Sequence, residues 1–148
     1  MKKLFFAVCL LMFASSSTAS ALSCGKARAV VTDAESAGKP YFTVAVTNAN
    51  ISKSYQFTIV NDFINVSCDN RPDGSLVFVI RHFCGGSGCS DLNFGIIDAN
   101  SGEVILTPSD RYKGNAEKAK AIMGREIKPT GWRENNQEIY LRSAIELG

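Results

Sequence analysis

The sequence predicts a mainly β domain, an antiparallel sandwich or barrel-like sheet of about eight strands with one short late helix. Short runs rich in Val, Ile, Phe and Tyr recur along the chain and alternate apolar with polar residues. Gly, Pro, Asn and Asp separate these runs. Only residues 115–123 have a composition that favours a helix, so strands dominate the prediction.

Residues 1–21 have the three-part pattern of a secretory signal. A basic start, Met1-Lys2-Lys3, precedes the apolar run 4–14, and the segment ends in Ala19-Ser20-Ala21, a small-x-small cleavage site. As a helix the apolar run would be about 16 Å long, too short for a hydrocarbon core of ~30 Å. We therefore expect cleavage after Ala21, export to a bacterial periplasm, and a single β-rich domain of residues 22–148.

The charge balance of the mature chain points to no particular charged partner. Lys2 and Lys3 would leave with the signal, so the 16 basic and 14 acidic residues of the full sequence become 14 of each. A neutral chain gives no electrostatic reason to expect nucleic acid or an anionic membrane as a partner. Basic residues gather within 111–133, but acidic residues interleave with them, which is typical of a solvated face. No other apolar run reaches the length of a membrane span.

Four of the five cysteines remain after the signal. They are Cys24, Cys68, Cys84 and Cys89. An even number in an exported chain predicts two disulfides, for which three pairings are possible. We favour Cys84–Cys89, which closes a short ring, together with Cys24–Cys68, which ties the mature N-terminus to the end of a later strand. Attachment of lipid to Cys24 is an alternative.

Alternating apolar and polar residues, bounded by turn-forming residues, predict each strand, and the bounds of the helix follow from its capping residues. The expected strands are Lys26–Val31, Tyr41–Thr47, Ser54–Val60, Phe63–Cys68, Leu76–Phe83, Leu92–Ala99, Glu103–Thr107 and Glu138–Leu147. The second and third form one hairpin, and the sixth and seventh form another. The run Leu76–Phe83 is apolar on both faces, which predicts a central strand covered on both sides. Asp69–Gly74 is expected to be a turn. Asn115 is expected to cap the helix and Gly124 to end it.

The most distinctive local feature is a glycine-rich loop between two cysteines. Gly85, Gly86, Ser87 and Gly88 stand between Cys84 and Cys89. A disulfide there would hold a narrow tip in one shape, and such a tip loses little entropy on entering a cleft. Its peptide groups would then hydrogen-bond to catalytic carboxylates of a partner. The alternative is a tight turn in which the glycines only supply the backbone angles.

Catalytic and metal chemistry have weaker support in the sequence. His82 and Cys84 share one strand face, but a disulfide would remove the thiolate that a Cys–His pair needs. A metal set of His82, Cys84 and Cys89 lacks a second histidine. The glycine loop lacks the Lys-Ser/Thr pair and the following helix of a nucleotide loop. Carboxylates near the turns single out no acid–base pair. We therefore expect no cofactor and no metal, and the sequence leaves open whether the protein is an enzyme.

The signal, the β-rich domain of this length and CGGSGC followed by FGIIDANSGEVI resemble small periplasmic inhibitors of cell-wall hydrolases. The resemblance includes periplasmic lysozyme inhibitors and the immunity proteins that act against peptidoglycan-cutting toxins of type VI secretion. It implies that the partner is a cell-wall hydrolase or a secreted toxin, and that Ser87 and Gly88 enter the cleft of that enzyme. The alternatives are an envelope hydrolase and a small-ligand-binding envelope protein.

Overall fold

The computed structural model describes residues 19–36, 39–58, 63–83, 93–108, 113–127 and 138–142. These residues contain nine strands and one helix. In chain order the elements are β1 (Ala19–Cys24), β2 (Ala27–Ser36), β3 (Lys39–Thr47), β4 (Ser52–Thr58), β5 (Phe63–Asn70), β6 (Leu76–Phe83), β7 (Asn93–Asp98), β8 (Val104–Leu106), α1 (Ala116–Met123) and β9 (Glu138–Arg142).

The strands form two antiparallel sheets. Sheet A has the order β1-β2-β3-β4, and sheet B has the order β8-β7-β6-β5-β9. Neither sheet closes on itself, so the architecture is a sandwich rather than a barrel. The predicted mainly β class, the two predicted hairpins (β3–β4 and β7–β8) and the single late helix are confirmed. Among the described residues no helix has both the length and the apolar character needed to cross a membrane.

Two apolar clusters lie on opposite faces of sheet B. The first fills the space between the sheets and includes Phe42, Phe57, Ile64 and Phe78. The second lies between sheet B and α1. It contains Val77, Val79, Phe94, Ile96, Ala119, Met123 and Ile127. Strand β6 lies in the middle of sheet B, with residues 77–82 buried, so the predicted central strand covered on both sides is confirmed.

Strand β1 precedes the first predicted strand and overlaps the predicted signal. Its register with β2 runs from Ala19 opposite Thr32 to Cys24 opposite Ala27. The two buried side chains of β1, Leu22 and Cys24, both follow the predicted cleavage point. Cleavage after Ala21 would therefore leave the apolar anchors of this strand in the mature chain.

The strand ends divide the sandwich into two ends. Residues 59–62 join the end of β4 to the start of β5, and residues 84–92 join the end of β6 to the start of β7. We call this the loop end; the β2–β3 connection is there too. The opposite end, the turn end, holds the β1–β2, β3–β4, β5–β6 and β7–β8 turns. Phe57 and His82 are in ring contact near the loop end, which shows that the two sheets share the same ends.

The predicted turn Asp69–Gly74 begins later than expected. Strand β5 continues through Asn70, and the turn occupies Arg71–Ser75, where the Arg71 N–H donates to the Ser75 carbonyl at 2.9 Å. The Asp69 side chain is buried and bonds to the guanidinium of Arg125, which follows α1. A residue that favours turns thus lies inside a strand, because a distant cation compensates its charge.

Candidate functional site

The predicted tip lies outside the described residues, and the structure describes the strands that carry it. The residues concerned are Cys84, Gly85, Gly86, Ser87, Gly88 and Cys89. The Cys84–Cys89 disulfide therefore stays a prediction. The other predicted disulfide, Cys24–Cys68, is present and joins sheet A to sheet B.

The connection that contains the tip is attached to two deeply buried strands. Strand β6 ends at Phe83 and β7 begins at Asn93, and their register runs from Val77 opposite Asp98 to His82 opposite Asn93. Residues 93–97 of β7 are all buried. A loop carried on such strands has a rigid base, which is the usual arrangement for loops that bind a partner.

A buried arginine reinforces this base on the helix side of sheet B. The Arg81 side chain, 4% exposed, donates from Nη1 to Asn65 Oδ1 at 3.0 Å and to Ser67 Oγ at 2.6 Å. Both acceptors lie on β5, so the guanidinium crosslinks β5 and β6 through side chains as well as through the backbone. Charge-assisted bonds of this kind are among the stronger hydrogen bonds in proteins.

His82 lies on the other face of β6, between the two sheets. Its side chain is 0% exposed, and its ring centroid is 6.1 Å from that of Phe57. Neither ring nitrogen has a hydrogen-bond partner among the described residues. Burial lowers the pKa of His82 to about 4 because the charged imidazolium would lose its hydration there.

These surroundings determine what His82 can do chemically. The structure buries the ring completely between the sheets. A general base must come within hydrogen-bond reach of the proton that it removes, and this ring is 0% exposed. His82 is therefore a packing residue in this conformation.

Three of the described carboxylates near the turns form ion pairs at separate places instead of one acid–base pair. Asp69 pairs with Arg125, Asp98 with Arg71 at 3.3 Å, and Glu103 with Lys53. Across the part of the chain that the structure describes, no group of three or more His, Cys, Asp or Glu side chains is arranged to hold a metal ion.

The turn end is fastened by side-chain hydrogen bonds between the sheets. Asn48 Nδ2 of sheet A donates to the Asn100 carbonyl at 2.9 Å, and the Tyr55 hydroxyl donates to the Gly102 carbonyl at 2.6 Å. Both acceptors are in the β7–β8 turn, which Asp98 Oδ1 closes by accepting the N–H of Asn100. Among the described side chains, hydrogen bonds join the sheets at the turn end, whereas the contact described between the sheets at the loop end is the apolar packing of Phe57 against His82.

The Arg81 crosslink was not predicted from the sequence. The available signal was a cation inside an otherwise apolar run, LVFVIRHF, opposite a strand in which polar residues alternate, FINVSCDN. A buried arginine requires acceptors, and Asn65 and Ser67 are spaced to lie on one face of β5. The register that brings them to Arg81 is a property of the folded sheet.

No family model, no curated protein and no solved structure matches the chain.

Proposed function

We propose that this protein is an exported binding protein that blocks a peptidoglycan-degrading enzyme, with the Gly85–Gly88 tip as the inserted element. The observation that carries the proposal is the attachment of residues 84–92 to two buried central strands, which the Arg81 bonds to β5 reinforce. A tip on a rigid base keeps most of its binding free energy because little order has to be created on association.

The proposed compartment is the periplasm. The signal pattern of residues 1–21 supports export, and the Cys24–Cys68 disulfide is compatible with an oxidising environment. An immunity protein against a secreted peptidoglycan-cutting toxin is the specific form of inhibitor that we propose, because its target would reach the same compartment.

The test measures inhibition of peptidoglycan hydrolysis by the mature chain. Wild type, Ser87→Arg and Ser54→Arg would be added to a panel of muramidases and amidases acting on purified peptidoglycan. Ser54 is exposed on the outer face of sheet A, so the second variant adds the same charge and bulk away from the tip. We expect wild type and Ser54→Arg to inhibit one enzyme class, and Ser87→Arg to inhibit it at least about tenfold less well.

A pull-down from envelope extracts identifies the partner by the same comparison. We expect a hydrolase to be retained by wild type and lost with Ser87→Arg. Equal retention by both proteins would exclude the tip from the interface, and an extract that yields no hydrolase would contradict the proposed class of partner.

The predicted Cys84–Cys89 disulfide has its own test. Thiol titration of the exported, unfolded protein should find neither cysteine reduced. If both were reduced and accessible, the tip would lack its covalent closure, and the proposal of a pre-ordered inserting element would fail.

A further inference from the structure

His82 is an ionisable residue in a place that accepts only its neutral form. Its ring is enclosed between the sheets, against Phe57, and both ring nitrogens lack hydrogen-bond partners among the described residues. A buried imidazolium without a counter-charge would carry a large desolvation penalty. Protonation is therefore coupled to a rearrangement that brings water or a charged partner to the ring.

The elements around His82 bring no described charged side chain to the ring. Its register neighbours are Ile64 on β5 and Asn93 on β7, and β4 contributes Phe57. The neighbouring strand β3 contributes Phe42, which is opposite Phe57. The ionisable residues closest in the chain or register are Arg81, which bonds to β5 on the opposite face of sheet B, and Asp33, Asp62 and Asp91, whose side chains lie outside the described residues.

We propose that His82 makes the loop end acid-sensitive: when its ring is protonated, strand β6 opens to water around His82 while the turn end stays closed. The asymmetry follows from the contacts that the described side chains make at each end. The loop end loses an apolar contact between Phe57 and His82 once the ring is charged. The turn end is held by the hydrogen bonds that Asn48 and Tyr55 donate to the β7–β8 turn. The Cys24–Cys68 disulfide also joins the sheets independently of pH.

The direction and size of the effect follow from linkage. The folded-state pKa of about 4 lies below the ordinary 6.5, so the open form binds the proton more tightly than the closed form. Above pH 6.5 the closed form has its full stability relative to the open form, and this stability decreases as the pH falls towards 4. From pH 7.5 to pH 5.0 the open fraction should rise about 30-fold.

Hydrogen exchange at pH 7.5 and pH 5.0 tests the proposal without any partner. After correction for the intrinsic pH dependence of exchange, amides of residues 78–82 should open about 30-fold more often at pH 5.0 in the wild type. The Asp98 and Gly102 amides, which bond within the β7–β8 turn, should open equally often at the two pH values. In His82→Gln, which keeps a neutral polar side chain, neither end should respond.

Three results would overturn the proposal. Equal acceleration at both ends would indicate acid unfolding of the whole domain, and acceleration retained in His82→Gln would assign the effect to another group. The third result would come from an NMR titration of the His82 ring in the wild type, which does not depend on how the variant folds. A His82 pKa near 6.5 in the native protein would show that the closed form accepts the proton.

Discussion

Asn115 illustrates how the role of a single residue changes between sequence and structure. It precedes α1 and has the type expected of a cap, but its side chain makes no capping bond. Its amide instead bonds to both the N–H and the carbonyl of Phe94, each at 2.7 Å, and to the Thr107 carbonyl at 3.0 Å. The side chain thus satisfies strand groups at the start of β7, next to the shorter neighbour β8. Local rules identify a polar residue there but cannot identify its distant partners.

Substitution of Asn115 should be costly because three backbone groups lose their partner. For Asn115→Ala we expect the free energy of unfolding to fall by about 3 kcal/mol, since buried unsatisfied groups cost roughly 1–3 kcal/mol each and neighbouring atoms relax. Urea denaturation measures the change. Asn50→Ala is the control, because Asn50 is exposed and should change stability by less than about 0.5 kcal/mol. Similar losses for both variants would contradict the structural role assigned to Asn115.

His82 should be replaceable by an apolar residue without loss of stability. The His82→Leu variant removes two ring nitrogens that have no partner among the described residues. We expect a gain of about 1 kcal/mol in the free energy of unfolding at pH 7.5, because no bond is broken and a polar group leaves the core. The gain should increase below pH 6.5, where only the wild type is weakened by proton uptake in the unfolded state. Urea denaturation at pH 7.5 and 5.0 measures the gain and its increase at low pH. A His82→Leu variant less stable than wild type at pH 7.5 would show that the native ring makes a hydrogen bond.

Among the elements, α1 ends as the sequence predicts, and its end is also a packing contact. Gly124 follows the helix with φ 66°, the left-handed conformation that glycine adopts without strain. A Cβ on Gly124 would lie 2.5 Å from Pro72 Cγ in the β5–β6 turn. The same glycine therefore ends the helix and allows its close approach to sheet B.

Two glycine variants separate these contributions. Gly74 also has positive φ, 84°, but a Cβ there would meet nothing within 4 Å. We expect Gly74→Ala to lower the free energy of unfolding by about 1 kcal/mol, the cost of the left-handed conformation alone. Gly124→Ala should lower it by about 2–3 kcal/mol, because Pro72 must also move. Thermal or urea denaturation of both variants measures the difference. Equal effects would mean that the helix end tolerates the displacement of Pro72.

Strand β6 shows how far an element can be predicted and where prediction stops. Its bounds, Leu76–Phe83, are those predicted, because eight consecutive β-prone residues bounded by turn residues leave little choice. Strand β1 was not predicted, because its residues Ala19–Ala21 also fit the end of a signal. One stretch of sequence satisfied two local rules, and the pairing with β2 is a contact that no local rule reports.

At the scale of the whole molecule, the Cys24–Cys68 disulfide joins the two sheets across 44 positions of sequence. Closing a loop of that length should stabilise the folded state by about 4 kcal/mol through the entropy of the unfolded chain. We expect the Cys24→Ser/Cys68→Ser double variant to lose roughly that amount in urea denaturation. Added reductant should bring the wild type close to the double variant, whereas a loss below about 1 kcal/mol would show that the sheets hold together without the crosslink.

The sequence by itself determined the fold class, the order of most strands, the central position of β6 and the end of α1, because alternation, turn residues and glycine conformations act over a few neighbouring residues. It also named the Cys24–Cys68 pair as one of three possible arrangements. Only the tertiary structure decided that this pair forms, that Arg81 bonds to Asn65 and Ser67, and that His82 is enclosed between the sheets. Those outcomes depend on strand register and on how the sheets pack, and residues far apart in the chain set both together.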